Sequence, residues 1–382
     1  MIYLDHAAST PMRPEAIEAM QPYLAEMYGN PSGSHRASAR TKSAVESARE
    51  SVAVILGARP DEIVFTGGGS EGDNLAVKGA AWAARARGLD GVVTSAIEHK
   101  AVLGAAYRLA NEGFRVVEVR AGGDGVVDLA DLRAALDERT AAVSVMLVNN
   151  ETGVVQPLAE IAAIARERSP SAVVHTDAVQ APQWLDVASA AADAELVAVS
   201  GHKFGGPKGV GALVVRKGTT IVPLVEGGGH EWSLRAGTQN VPGIVALAVA
   251  LETTAETREV EVARIATLRD ALASGLRSRL PSMVINGDPD RRVAGILHVA
   301  FSGIEAEVLL TALDQAGVCA ASGSACSSGA IDPSHVLMGM GLERTRALAS
   351  VRFSLGWAST ESDVERAIPI IADCVNRLTA VA

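Results

Sequence analysis

Through the first two thirds of the chain, short and mostly apolar runs alternate with stretches of helical spacing. The runs are Glu62–Thr66, Gly91–Thr94, Phe114–Val119, Ala142–Val148, Ala172–Thr176, Glu195–Ser200 and Val210–Val215. Strands buried on both faces read this way, because neither face can be polar. Between them, Ile17, Met20, Leu24 and Met27 recur at helical spacing over Pro14–Met27, and further helices are expected from about Ser70 to Arg87 and after His99. The alternation predicts an α/β domain with a largely parallel sheet. In such a sheet the chemistry belongs at the C-terminal ends of strands.

Beyond residue 240 the rhythm changes. A long helical stretch runs from Pro242 to near Leu280, followed by strands Met283–Asn286 and Ile296–Phe301 and a helix Glu305–Gln315. A Gly/Ser/Ala-rich segment, a strand Ser350–Ser354 and a helix from about Thr360 complete the chain. This predicts a large domain over residues 14–250. Residues 1–13 and 251–382 form a smaller α+β domain, which carries a loop at about residues 320–332.

At 382 residues, 48% of them hydrophobic, the chain is long enough for more than one core. A net charge of −10 with no basic block argues against nucleic acid as a partner. No run approaches the ~18 apolar residues of a membrane helix, and the N-terminus lacks a signal-peptide pattern. Three scattered cysteines form neither a disulfide framework nor a metal-ligand set, so a cytoplasmic protein without an intrinsic metal is expected.

Lys203 ends the apolar run Glu195–Ser200 and enters a glycine-rich turn. A lone lysine in such a turn is ordinarily a surface residue. Twenty-six positions upstream, however, Asp177 ends the run Ala172–Thr176. An amine to condense with an aldehyde and a carboxylate to face a pyridinium nitrogen are what pyridoxal 5'-phosphate (PLP) requires. Thr66-Gly-Gly-Gly-Ser-Glu-Gly72 joins a strand to a helix and suits a phosphate at the helix N-terminus. Gly67, Gly69 and Gly72 also match G-x-G-x-x-G, but the acid at the expected spacing, Asp90, precedes its strand instead of ending it, which counts against a nicotinamide site.

Other strand ends carry His99, Asn149-Asn150 and Gln180. Each has an ordinary structural alternative: a helix cap for His99, turn residues for the amides. Arg352 alternates with Val351 and Phe353, which fits either an exposed strand residue or a fork for a substrate carboxylate. Gly227-Gly-Gly-His230 leads to Arg235-Ala-Gly-Thr238, a loop able to reach a neighbouring subunit. Cys326 lies in Ser322-Gly-Ser-Ala-Cys-Ser-Ser-Gly329, whose small side chains predict a mobile, displayed thiol. Cys319 and Cys374 read as core.

Taken together, Ile2–Asp5, Gly29–Pro31, Thr66–Asn74, Glu98–Val102, Val148–Glu151, Asp177–Gln180, Ser200–Gly211, Arg235–Thr238, Ser322–Ser327 and Arg352–Gly356 resemble the cysteine desulfurases of the NifS/IscS type, within the class V aminotransferase family of fold-type I PLP enzymes. The resemblance spans nearly the whole chain. It implies a mostly parallel seven-stranded sheet and a homodimer. It assigns Lys203 to the cofactor aldehyde, Asp177 to the ring nitrogen, Gln180 to the ring oxygen and His99 to the ring face. Gly69, Ser70, Ser200 and His202 would hold the phosphate, with Thr238 from the second subunit. Asn150, which would also contact the cofactor, and Arg352 would orient L-cysteine, and Cys326 would take its sulfur as a persulfide.

The acceptor would be an iron–sulfur scaffold or another sulfur-acceptor protein serving cluster assembly or tRNA thiolation. Cys326 could then contribute to a transient cluster shared with the scaffold. A selenocysteine lyase or another aminotransferase-like enzyme shares most of these groups; the displayed thiol favours sulfur transfer. Ser70 and Gly72 stand where relatives more often have threonine and serine, and the chain ends soon after its last helix, which bears on how an acceptor would dock.

Overall fold

The apolar runs pair into one sheet of seven strands. In the computed structural model, which describes residues 1–323 and 332–380, β1 is Ile2–Tyr3 and the sheet is built from the next seven strands. These are β2 (Ile63–Thr66), β3 (Gly91–Ser95), β4 (Arg115–Val119), β5 (Thr140–Ser144), β6 (Val173–Asp177), β7 (Leu196–Ser200) and β8 (Gly211–Val215). Their order is β2-β8-β7-β6-β5-β3-β4, parallel from β7 through β4, with β8 antiparallel to both its neighbours. β2, β3, β5, β7 and β8 are buried throughout, as continuous apolar runs require. β4 differs because it is the edge strand, where Arg115 and Glu118 face solvent.

The chain steps from β3 out to β4 and returns on the other side of β3 to form β5. Where the order reverses, between β3 and β5, the loops that follow these strands both reach the crevice expected at such a switch point. The run expected over Ala142–Val148 stops as a strand at Ser144. Val145 and Leu147 still donate backbone hydrogen bonds to the carbonyls of His175 and Asp177, at 3.1 and 2.9 Å. Those bonds carry extended backbone to the edge of the crevice.

The single helix expected over Pro14–Met27 is two, Pro14–Met20 and Pro22–Ala25, because Pro22 lacks the N–H that would continue the first. The long helix is Val241–Arg279, with Pro242 in its first turn and Asn240 accepting from the Gly243 amide. It packs on helices Pro14–Met20, Arg36–Ile55 and Glu361–Thr379, linking the large sheet to the C-terminal elements.

There β9 (Val284–Ile285), β10 (Ile296–Ala300), β11 (Val318–Cys319) and β12 (Ser350–Ser354) form two small sheets. β12, β10 and β9 are antiparallel, and β1 joins β11 in parallel. The first residues of the chain are thereby bound to the last third, and Asp5 bridges to Ser354.

Candidate cofactor and substrate site

A cavity of about 810 Å³ opens at the C-terminal ends of β2, β3, β5, β6 and β7. The N-terminal segment Asp5–Ser9 and the C-terminal residues Ala321–Gly323 and Arg352 close its other side. Of the residues singled out in the sequence, Gly69, Ser70, His99, Asn150, Asp177, Gln180, Ser200, His202, Lys203 and Arg352 all line it.

One end could hold an anion. Helix Gly69–Arg85 starts at the cavity with no side-chain cap, so its first amides are open to a ligand. Gly68 turns the chain into the helix with φ 139°, a conformation that side-chain-bearing residues rarely adopt. A Cβ on Gly69 would lie 2.6 Å from the Val179 side chain, so only glycine lets this turn meet the β6 loop. Ser200, 2% exposed, and His202, whose Nδ1 lies 3.3 Å from Ser9 Oγ, face the same end. Burial, reinforced by the nearby lysines, lowers His202 to a pKa of about 4.

Lys203 donates to the carbonyls of Ala7 and Ala8, at 2.7 and 3.0 Å. Burial, with the Arg352 charge nearby, pulls its amine down to a pKa of about 8. Asp177 accepts from the Val179 amide at 2.9 Å, and its pKa is raised by burial against the opposing pull of His99, that amide and Lys203. His99 does cap a helix: it accepts from the Ala101 amide at 3.2 Å, at the start of Lys100–Asn111. Its ring is nonetheless open to the cavity, and the protein around it lowers its pKa through desolvation. Gln180 donates to the Ala7 carbonyl at 2.8 Å, tying the N-terminal segment to the β6 loop.

Arg352 is not an exposed strand residue. It is 4% exposed, its guanidinium donating to the Asn150 carbonyl at 2.7 Å and to Asp5 Oδ1 at 2.8 Å. Its Nε and the Asn150 side-chain oxygen are buried without a hydrogen-bond partner among the described residues. Asn149 is structural: its oxygen accepts from the amides of Glu151 and Thr152, and its nitrogen donates to the Ile97 carbonyl.

Other expected residues lie elsewhere. Thr238 is exposed and is absent from the lining of this cavity. Its loop is anchored by Glu231, which pairs with the buried Arg49 and accepts from the Phe65 amide and Gln239. Asp90 pairs with Arg139 away from the cavity, which removes the acid a dinucleotide site would need. Cys374 is buried, whereas Cys319 is only partly so because it lies in the two-residue strand β11. Cys326 lies outside the described residues.

Asp5, Asp73, Glu98 and His175 have no functional role that the sequence points to. Glu98 is buried, accepts from Ser95 Oγ at 2.5 Å and from the Met146 amide at 2.9 Å, and so ties the loop after β3 to the loop after β5. Burial raises its pKa to about 8. Asp73 lines the cavity at 1% exposure. The available signal was its spacing: it falls on the face of its helix that carries Gly69, Ala76 and Ala80, which is buried.

The aminotransferase class-V family profile matches residues 2–367. Among curated proteins, the chain is 42% identical to a cysteine desulfurase of Trichormus azollae, over 100% of this chain and 94% of the relative. It is 45% identical to the cysteine desulfurase IscS of Anaeromyxobacter dehalogenans, over 99% and 93%. Among solved structures, a NifS-like protein superposes with a TM-score of 0.91 at 35% identity, covering 98% of this chain and 99% of that one.

Proposed function

The chain belongs to the class-V aminotransferase family, and we propose that within it the protein is a PLP-dependent cysteine desulfurase, which takes sulfur from L-cysteine, releases L-alanine and passes the sulfur to an acceptor protein. The observation that carries this reading is one cavity that holds a lysine of lowered pKa, a buried aspartate and a buried arginine with an unused donor.

The residues fit the cofactor. An uncapped helix N-terminus with Ser70, Ser200 and His202 would take the phosphate, Asp177 the ring nitrogen, Gln180 the ring oxygen and His99 the ring face. Lys203 would hold the aldehyde carbon. When bound, PLP supplies an aldehyde for amine condensation and a ring that withdraws negative charge from the substrate Cα.

Arg352 and Asn150 orient the substrate, Arg352 through the carboxylate, which meets the donor left free at Nε. With a pKa of about 8, Lys203 exists in part as the neutral amine near neutral pH and removes the Cα proton. Asp177, held as the carboxylate, would keep the ring nitrogen protonated, which is what lets the ring withdraw the negative charge left at Cα. Cys326 then supplies a thiolate. A sulfur–sulfur bond forms as the substrate Cβ–Sγ bond breaks, the electron pair stays with the carbon skeleton, and that skeleton takes up protons and leaves as alanine. Gly323 lines the cavity and precedes Cys326 by three residues in the sequence, which supports the assignment.

The second subunit of a homodimer contributes Thr238 to the phosphate. No helix among the described residues is long and apolar enough to cross a membrane, and we place the reaction in the cytoplasm. The acceptor is an iron–sulfur scaffold or a tRNA-thiolation carrier. The test is to incubate holoenzyme with L-cysteine, count alanine released, and map the added sulfur by peptide mass spectrometry. Equal amounts of alanine and protein-bound sulfur in a single turnover are expected; pyruvate, or alanine without bound sulfur, refutes the reading.

A further inference from the structure

Asp73 projects from helix Gly69–Arg85 into the floor of the cavity, 1% exposed. Its Oδ1 has no hydrogen-bond partner among the described residues. Polar atoms of Asp73, Asp177 and His99 all lie within 4.8 Å of one another, so two buried carboxyl groups share one small space. From β6, the His175 Nε2 comes within 3.6 Å of Asp73 Oδ1 and is likewise unpartnered, while its Nδ1 is bonded to Ser144 Oγ at 2.8 Å.

We propose that Asp73 keeps its proton and shares it with Asp177 in a hydrogen bond that Asp73 donates, acting as a positioning residue that fixes Asp177 as the anion facing the ring nitrogen of the cofactor. The proposal rests on the cofactor reading above.

Two like carboxyl groups this close and this buried do not both ionise. The choice between them follows from their neighbours. Asp177 has the Val179 amide at 2.9 Å, His99 and Lys203 to favour its charge. Asp73 faces two acids, Asp177 from β6 and Glu98 from the loop after β3, and burial together with both raises its pKa well above the carboxylate range. His175 does not supply a positive charge, because burial holds it neutral, with a pKa of about 3. Asp73 is therefore the carboxyl group that carries the proton, which makes this unpartnered group a donor within 4.8 Å of Asp177. The donated hydrogen bond holds the Asp177 carboxylate in one orientation while leaving its charge intact.

The test begins with cofactor-free protein grown on carbon-13 aspartate, which separates Asp73 from the protonated Glu98. Infrared spectra at neutral pH should show a protonated aspartic carboxyl band that moves in heavy water and is lost in Asp73→Asn. Its absence from the parent protein, or its persistence in the variant, overturns the proposal. In the holoenzyme, Asp73→Asn, which keeps a donor, should retain PLP and its absorbance-against-pH profile. Asp73→Ala should release PLP about tenfold more readily, as expected for one charge-assisted hydrogen bond, and shift that profile. Equal losses in both variants, or none in either, would also overturn it. If the parent protein binds no PLP while the infrared band is present, the cofactor reading has failed and the carboxyl pair has not.

Discussion

Arg352 and Asp5, 347 residues apart in sequence, meet at 2.8 Å at the cavity wall. The ion pair joins β12 to the N-terminal segment and holds one nitrogen of the guanidinium, while the Asn150 carbonyl holds another at 2.7 Å. The fork is fixed by the protein on both sides, with Nε left over. The proposed clamp for the substrate carboxylate is in this sense preorganised.

Replacing Arg352 by alanine should therefore damage substrate use and spare the cofactor. Hydrogen bonds to charged groups are worth about 1.5–3 kcal/mol each, which corresponds to a loss of about ten- to a hundredfold in kcat/KM for cysteine. The visible spectrum of the resting enzyme should not change. Loss of PLP from Arg352→Ala, with normal kinetics once PLP is restored, would assign the residue a structural role.

Lys203→Ala should abolish turnover, since among the described residues no other amine lines the cavity except Lys208 on the glycine turn. Borohydride treatment of the parent holoenzyme should fix the cofactor on the Lys203 peptide. Because the amine has a pKa of about 8, its neutral fraction grows as the pH rises through that value. Reconstitution of cofactor-free protein should accordingly speed up with pH, with a midpoint near 8. A rate independent of pH between 6.5 and 9.5, roughly the range bracketing that value, would contradict the lowered pKa.

Cys326→Ser should bind PLP and cysteine but yield no protein-bound sulfur, because a hydroxyl neither attacks sulfur well nor holds it as a persulfide. Cys319→Ser and Cys374→Ser should stay active, with a stability loss at the buried Cys374. Added sulfur mapped to Cys319 or Cys374 in the parent enzyme would overturn the assignment.

Glu231→Ala should be among the most destabilising single changes. It leaves Arg49, 2% exposed, as a buried charge without its bidentate partner, at a cost of about 3–5 kcal/mol. Burial alone would raise the Glu231 pKa, but Arg49, the Phe65 amide and Gln239 together hold it below the usual glutamate range. A depressed folded-state pKa contributes stability above the unfolded value of about 4.3, lost as the pH falls toward the folded value. Chemical denaturation from pH 6 down to roughly pH 3 should show that acid loss in the parent and a shallower one in Glu231→Gln.

Glu231, Trp232 and Ser233 take left-handed conformations just ahead of Thr238, with Glu231 held by Arg49 and Trp232 Nε1 donating to the Ile63 carbonyl at 3.1 Å. Thr238→Ala should weaken cofactor retention by about 1.5–3 kcal/mol, the range for a charge-assisted hydrogen bond. The effect requires the second subunit. A fully active monomer in solution would rule out the shared phosphate site.

Much of this protein was legible before folding, because its constraints are local. Buried strands must be apolar on both faces, so the large sheet is written in the chain. An unusual residue at the end of such a strand, as Asp177 is, or in the turn just beyond one, as Lys203 is, stands out against it. Glycines at an uncapped helix start mark the anion end in the same way. Boundaries slipped where a single residue competes with the pattern, as Pro22 does within Pro14–Met27.

What only the tertiary structure decided is which distant residues share a low-dielectric space. Glu98 and Asp5 are unremarkable in sequence, since an isolated acid reads as a solvated residue, and for Asp73 and His175 the pattern shows burial but not what they meet. Their chemistry arises when helix Gly69–Arg85, the ends of β3 and β6 and the first residues of the chain converge. Burial and a neighbouring charge set the protonation of each. Those forces depend on distance through space, which a linear pattern of residues does not contain.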